Sequence, residues 1–135
     1  MPHHDSADSF KQLTDIVARL RAPDGCPWDR KQTPESIKAY LLEETHELLE
    51  VLGGDDHDHI REELGDLLFQ IIFLCQLYSE AGAFTLAEVI DGIRAKMIRR
   101  HPHVFGDAKV ESEEDLRRQW LAIKAEEKKS RTLGS

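Results

Sequence analysis

Cysteine is scarce in this chain: of its 135 residues only Cys26 and Cys75 are cysteines, they form no C-x-x-C pair, and the count argues against a disulfide scaffold. Cys75 stands in an apolar run and reads as a buried thiol, Cys26 as part of a structured loop. Long hydrophobic runs are missing as well. The longest, Leu67–Cys75, is interrupted by Gln70 and is too short to cross a bilayer. The polar start MPHHDSADS lacks the apolar segment of a secretory signal, so a cytoplasmic protein is expected. Basic excess is also absent. A net charge of −8 is unfavourable for general nucleic-acid binding. Several metal and nucleophile patterns fail in turn. His46-Glu47 lacks the second histidine of H-E-x-x-H, because position 50 is Glu. Glu43-x-x-His46 has no second Glu-x-x-His to make the pair a di-iron bundle needs, and the D-x-[DN]-x-[DN]-G calcium loop is missing. His57, Asp58 and His59 sit beside a turn and read as solvated. No glycine-rich phosphate loop, Ser–His–Asp cue, strand signal, repeat or low-complexity tract occurs.

What is present is helical periodicity. Phe10, Leu13, Ile16, Val17 and Leu20 recur at helical spacing and predict a helix over about 8–22. Pro23, Gly25 and Pro27 then interrupt regular structure and give the loop APDGCPWDRKQ, in which Trp28 either plugs the side of a bundle or contacts a ligand. Thr33 as N-cap and Pro34 at the first helical position open a helix to about 52. Another runs from about 57 to 81, where Gly82 ends it. Thr85 and Glu88 form a capping box for a helix to about 99. After the loop RRHPHVFGDAKV, Ser112 opens a last amphipathic helix through Trp120 and Ile123 to about Lys128. The expected fold is all-α: a bundle of about five helices over residues 9–129, completed by dimerisation, with disordered tails at 1–8 and 130–135.

Acids interrupt the apolar pattern in the stretch Leu41–Cys75. Glu44 and Glu47 form an E-x-x-E, and Glu63 and Asp66 an E-x-x-D, each pair on one helix face. Gly53-Gly54-Asp55-Asp56 is a plausible break between the two runs. Positions 47 and 63 are centred on 55, as are 44 and 66. If the helices fold back there, Glu47 comes level with Glu63 and Glu44 with Asp66, with levels roughly 4.5 Å apart from the helical rise. Their neighbours Leu41, Leu48, Val51, Ile60, Leu64, Leu67 and Ile71 are apolar. Four converging carboxylates need raised pKa values or a cation, and an all-oxygen set favours Mg²⁺ or Mn²⁺ over zinc. The plainer alternative is that all four face solvent.

Charge is unevenly spread along the chain. Residues 1–31 balance five bases against five acids, residues 32–91 carry fourteen acids against Lys38 and Arg61 for a net −12, and residues 92–135 carry eleven bases and seven acids for a net +4. An acidic middle before a basic end fits a metal cage opposed by phosphate-binding cations, or a simple electrostatic tether between helices. Arg99-Arg100-His101-Pro102-His103 can present planar forks to phosphate oxygens. The same arginines can instead interact with a helix C-terminus. Lys124, in a run with Lys128 and Lys129, fits an anion contact or a solvated face.

The segments GCPWDRKQTPESI, LLEETHELLEVL, REELGDLLFQIIF, KMIRRHPHVFGD and WLAIKAEEK together resemble MazG-type nucleoside triphosphate pyrophosphohydrolases, across roughly residues 10–129. The resemblance implies an all-α, Mg²⁺-dependent hydrolase, with Mn²⁺ as a substitute. It would cleave NTPs or dNTPs to the monophosphate and pyrophosphate, as a homodimer or higher oligomer without nucleic-acid or membrane partners. It implies that Glu44, Glu47, Glu63 and Asp66 ligate metal and that Glu43 is a further ligand or a water-orienting base. Catalysis would rest on Glu43, Glu47 and Glu63. Arg99, Arg100 and Lys124 would contact the triphosphate, with Trp28 among the substrate contacts. Thr45-His46 departs from the Ala-Tyr of the motif, which bears on the nucleobase side. A dUTP/dCTP-preferring or phosphoribosyl-ATP pyrophosphohydrolase would use the same acids. A nucleotide-binding helical regulator without activity and a purely structural bundle are the readings from other classes.

Overall fold

The computed structural model describes residues 5–133, and all regular structure among them is helical. The order is α1 (Ser6–Leu20), α2 (Pro27–Arg30), α3 (Pro34–Val51), α4 (His57–Glu80), α5 (Leu86–Arg100), α6 (Pro102–Phe105) and α7 (Glu113–Leu133). The expected tails fall partly at 1–4 and 134–135, outside the described residues. α1 opens at Ser6 and α7 continues to Leu133, so both helices extend into stretches expected to be tail. The chain divides into two compact units, Met1–Leu86 and Ala87–Ser135.

In the first unit α4 packs against both α1 and α3. Its core is Val17, Ile37, Ile72, Phe73 and Leu77, ringed by Phe10, Leu13, Phe69, Leu74 and Leu86. Phe73 and Val17 are essentially without solvent contact, and each such burial contributes about 2–3 kcal/mol. Cys75 is buried as the apolar run suggested, and burial pushes its thiol pKa up. The three long helices of this unit each begin on a sequence-encoded cap. Asp5 accepts the Ala7 N–H, Thr33 and Ser36 form a reciprocal capping box ahead of Pro34, and Asp56 accepts the His59 N–H. Between α3 and α4 the chain reverses through Gly53, whose φ of +87° suits glycine and strains other L residues.

The α1–α3 connection differs from the expected irregular loop. Pro27 occupies the first turn of α2, where its missing N–H would be unpaired in any case, so proline here starts a helical turn. Pro102 does the same for α6. Arg21 fixes the connection. Its guanidinium donates to the Asp29 carbonyl at 2.7 Å, pairs with Glu80 of α4 at 2.5 Å and lies 5.9 Å from the Phe73 ring centroid.

The second unit joins α5 to α7 through charged and aromatic side chains. Arg99 and Arg100 both bond Glu127, and the Arg100 guanidinium lies 4.7 Å from the Trp120 ring centroid. His101 Nδ1–H donates to the Met97 carbonyl, and the Gln119 amide donates to His103 Nδ1. The Ser112 hydroxyl accepts the Asp115 N–H ahead of α7. This unit contributes none of the fully buried hydrophobic side chains described in the protein.

Candidate metal centre

The α3–α4 hairpin brings the two acid pairs together. Glu44, Glu47, Glu63 and Asp66 each offer one carboxylate oxygen, and these oxygens all lie within 4.8 Å of one another. The helical pitch puts residues three apart on one face, and the turn between Val51 and His57 sets the faces against each other. The apolar surroundings are less complete than expected. Leu48 is buried and Leu41, Val51, Ile60 and Leu67 are half-buried, whereas Leu64 and Ile71 are exposed.

Of the described side chains outside the four acids, the His59 ring meets the cluster. His59 Nε2 lies 3.2 Å from Glu63 Oε1, one helical turn away. The second oxygen of Glu63 and Oε2 of Glu44 are buried without a hydrogen-bond partner. Gln70 Oε1, one turn beyond Asp66 on α4, is likewise unpartnered. Glu44 carries the electrostatic penalty. Its pKa is raised chiefly by burial, then by the charges of Glu47, Asp66 and Glu63, with a hydrogen bond to Glu47 adding to the shift. A proton or a cation relieves that penalty. Four carboxylates, two of which carry a buried unsatisfied oxygen, fit a hard divalent ion such as Mg²⁺ or Mn²⁺.

The other predicted residues lie elsewhere. Glu43 is exposed on α3, outside the four-acid set, and shares with Glu47 a shallow depression of about 670 Å³ lined also by Ala39, Leu42, His46 and Glu50. Trp28 does not plug the bundle. It is 73% exposed, with the Lys31 ammonium 5.5 Å from its ring centroid.

In the second unit, Arg99 and Arg100 close the last turn of α5 and converge on one carboxylate. Arg99 Nε reaches Glu127 Oε2 at 2.7 Å and Arg100 Nη2 reaches Oε1 at 2.7 Å. The Arg100 and Glu127 side chains are 11% and 10% exposed, while that of Arg99 is 51% exposed. Hydrogen bonds from Arg100 and then Arg99 hold the Glu127 carboxyl down to about 2. Arg99 also lines an open groove of about 860 Å³ with Lys96, Glu126, Ser130 and Arg131. Lys124 is exposed on α7.

The sequence reading did not anticipate Glu127, Trp120 as an arginine partner, or His59 as a neighbour of Glu63. The signal for Glu127 was present: it lies on the Trp120–Ile123 stripe of α7, an acid at a position where the amphipathic pattern places apolar residues. His59 was visible only as an i,i+4 partner of Glu63.

Comparison with known proteins agrees with this geometry. Residues 32–105 match the MazG nucleotide pyrophosphohydrolase domain. The chain is 50% identical over 119 residues to the nucleoside triphosphate pyrophosphohydrolase/pyrophosphatase MazG of Thermotoga maritima, covering 88% of this chain and 45% of that protein. It is 44% identical over 122 residues to the nucleoside triphosphate pyrophosphohydrolase of Escherichia coli strain K12, covering 90% of this chain and 46% of that protein. The chain therefore spans less than half the length of these two relatives. The crystal structure of a mazG-related protein from Thermotoga maritima superposes with a TM-score of 0.71 at 27% identity, covering 85% of this chain and 98% of that one. With the helical fold, the acid hairpin and sequence identity all in agreement, this chain belongs to the MazG nucleotide pyrophosphohydrolase family.

Proposed function

We propose that this chain hydrolyses nucleoside triphosphates, NTPs or dNTPs, to the nucleoside monophosphate and pyrophosphate, using a divalent cation held by Glu44, Glu47, Glu63 and Asp66. The supporting observation is the four-acid cluster, with two buried carboxylate oxygens that no protein group satisfies. Mg²⁺, or Mn²⁺ in its place, would supply charge neutralisation at the phosphate oxygens and an acidified water. Glu47 and Glu63 fix the cation's position from opposite arms of the hairpin. Glu43, which lines one depression with Glu47, would accept the proton of the water that attacks the α-phosphorus, while pyrophosphate leaves.

The phosphate-binding role assigned to Arg99, Arg100 and Lys124 rests on their chemistry. Arg99 keeps half its side chain exposed and shares its groove with Lys96 and Arg131, so it has more room than Arg100 to take a phosphate oxygen. The uncovered ring of Trp28 offers a face to a nucleobase. Exposed apolar side chains on α3 and α4, among them Leu42, Leu49, Leu64, Leu68 and Ile71, support a homodimer or higher homo-oligomer. No described helix is long and apolar enough to cross a membrane, and the proposed setting is the cytoplasm.

The deciding assay incubates the protein with each NTP and dNTP, dUTP and dCTP included, and with phosphoribosyl-ATP, with and without Mg²⁺, and resolves the products chromatographically. Monophosphate plus pyrophosphate, lost with chelator, is the expected outcome. Diphosphate plus inorganic phosphate, or intact nucleotide throughout, would refute the proposal.

A further inference from the structure

The role of His59 follows from the two oxygens of one carboxylate. Glu63 is the most buried of the four clustered acids, its side chain 10% exposed. Oε1 meets His59 Nε2 at 3.2 Å, while Oε2 is buried with no partner. A carboxylate oxygen accepts, so the tautomer that satisfies this contact carries its proton on Nε2. The histidine is itself held. Its backbone N–H is bound at 3.1 Å by the side chain of Asp56, the N-cap of α4, which fixes the first turn from which the ring reaches Glu63 at i+4. A chain of two contacts thus runs from the hairpin turn to one acid of the cluster. The ring is half exposed, so it does little as packing.

We propose that His59 is a positioning residue for the metal centre: by holding Oε1 of Glu63 it fixes the side chain of the most buried acid of the cluster in one orientation. The role rests on the cation-binding reading of that cluster. Without the donor, Glu63 gains rotamers, and the cation must bear the ordering penalty on binding. Partners that orient a metal ligand typically change metal affinity by about 10–100-fold.

The test titrates Mn²⁺ alone into the nucleotide-free 135-residue chain, with free Mn²⁺ read by electron paramagnetic resonance. Wild type, His59→Ala and His59→Gln are compared, and melts in chelator check that each folds. Alanine is a strong helix former, and the position is half exposed. His59→Ala should bind Mn²⁺ about 10–100-fold more weakly. His59→Gln, whose amide can donate to the same oxygen, should recover most of the loss. In turnover, His59→Ala should raise the Mg²⁺ needed for half-activation while leaving kcat at saturating Mg²⁺ and the nucleotide KM near wild type.

Unchanged or tighter Mn²⁺ binding by His59→Ala, with wild type binding normally, would overturn the positioning role alone. A glutamine variant as weak as the alanine one would do the same. So would nitrogen coupling showing imidazole bound directly to Mn²⁺, since His59 would then be a ligand. Wild type that binds no Mn²⁺ would overturn the metal centre and this role together.

Discussion

The two units each gather charge around buried acid, with opposite results. In the first, four carboxylates face one another, two of their oxygens lack partners, and Glu44 holds its proton more tightly than a free carboxyl. In the second, one carboxylate is shared by two guanidiniums, and Glu127 is held down to about 2. A buried acid whose partner belongs to the chain is a structural joint. A cluster of acids in which two buried oxygens lack such partners is relieved by a proton or a cation. The difference separates the two halves of the expected site: the acid half is electrostatically open, whereas Arg100 is already engaged by Glu127 and Trp120, leaving Arg99 as the more available cation.

Breaking the open half should have the largest effect. Glu47→Gln and Glu63→Gln should each lower turnover on the order of 10³-fold, since a bound metal contributes several kcal/mol of charge stabilisation in the transition state. Without metal, both variants should melt no lower than wild type, because each removes a charge from a repulsive set. Near-normal pyrophosphate release by either, purified free of wild type, would remove the acids from catalysis.

Mg²⁺ should stabilise the intact protein by about 2.7 kcal/mol at a hundred times its dissociation constant. Calorimetry should find that shift missing in Glu63→Gln. The same titration sharpens the contrast, because Glu127→Gln should melt below wild type yet keep its Mg²⁺ shift. A lost shift in Glu127→Gln would show that the two centres are not independent.

Acid should act on the two centres with opposite sign. The Glu44 pKa is raised on folding, so the stability that its proton brings is present below the ordinary carboxyl range and is lost as pH rises through the raised value. The Glu127 pKa is depressed, so its contribution is full above about 4.5 and disappears as pH falls toward about 2. Melting temperature in chelator should therefore carry a Glu44 gain on mild acidification that saturating Mg²⁺ suppresses and Glu44→Gln lacks. The later Glu127 loss should be absent from Glu127→Gln. Identical pH profiles in all three proteins would contradict both assignments. The smallest structural effect is expected at Trp28. Trp28→Ala should change stability by no more than about 0.5 kcal/mol, as an exposed side chain does, while raising the nucleotide KM if the ring stacks on a base.

Much of the first unit was legible because its rules are local. Thr33-Pro34 starts α3 through a hydrogen bond spanning three residues, and Gly53 in the expected break permits the reversal between α3 and α4. With a fixed rise per residue, mirrored spacing about that reversal was enough to bring Glu44, Glu47, Glu63 and Asp66 together. The proline-rich connections were read too simply, because Pro27 and Pro102 start short helices where proline elsewhere would break one. Leu64 and Ile71 carried the apolar pattern of buried residues but are exposed.

By itself, then, the sequence determined the helical class, the caps and the convergence of four acids on one hairpin, since helix pitch and turn position depend on neighbours in the chain. Only the tertiary structure decided which carboxylate claims Arg99 and Arg100. Glu127 is 27 residues beyond Arg100, and its place on the apolar stripe of α7 marks it as covered without naming what covers it. Partner choice across such a gap depends on which faces pack and on how far water is excluded between them. Local pattern carries neither quantity.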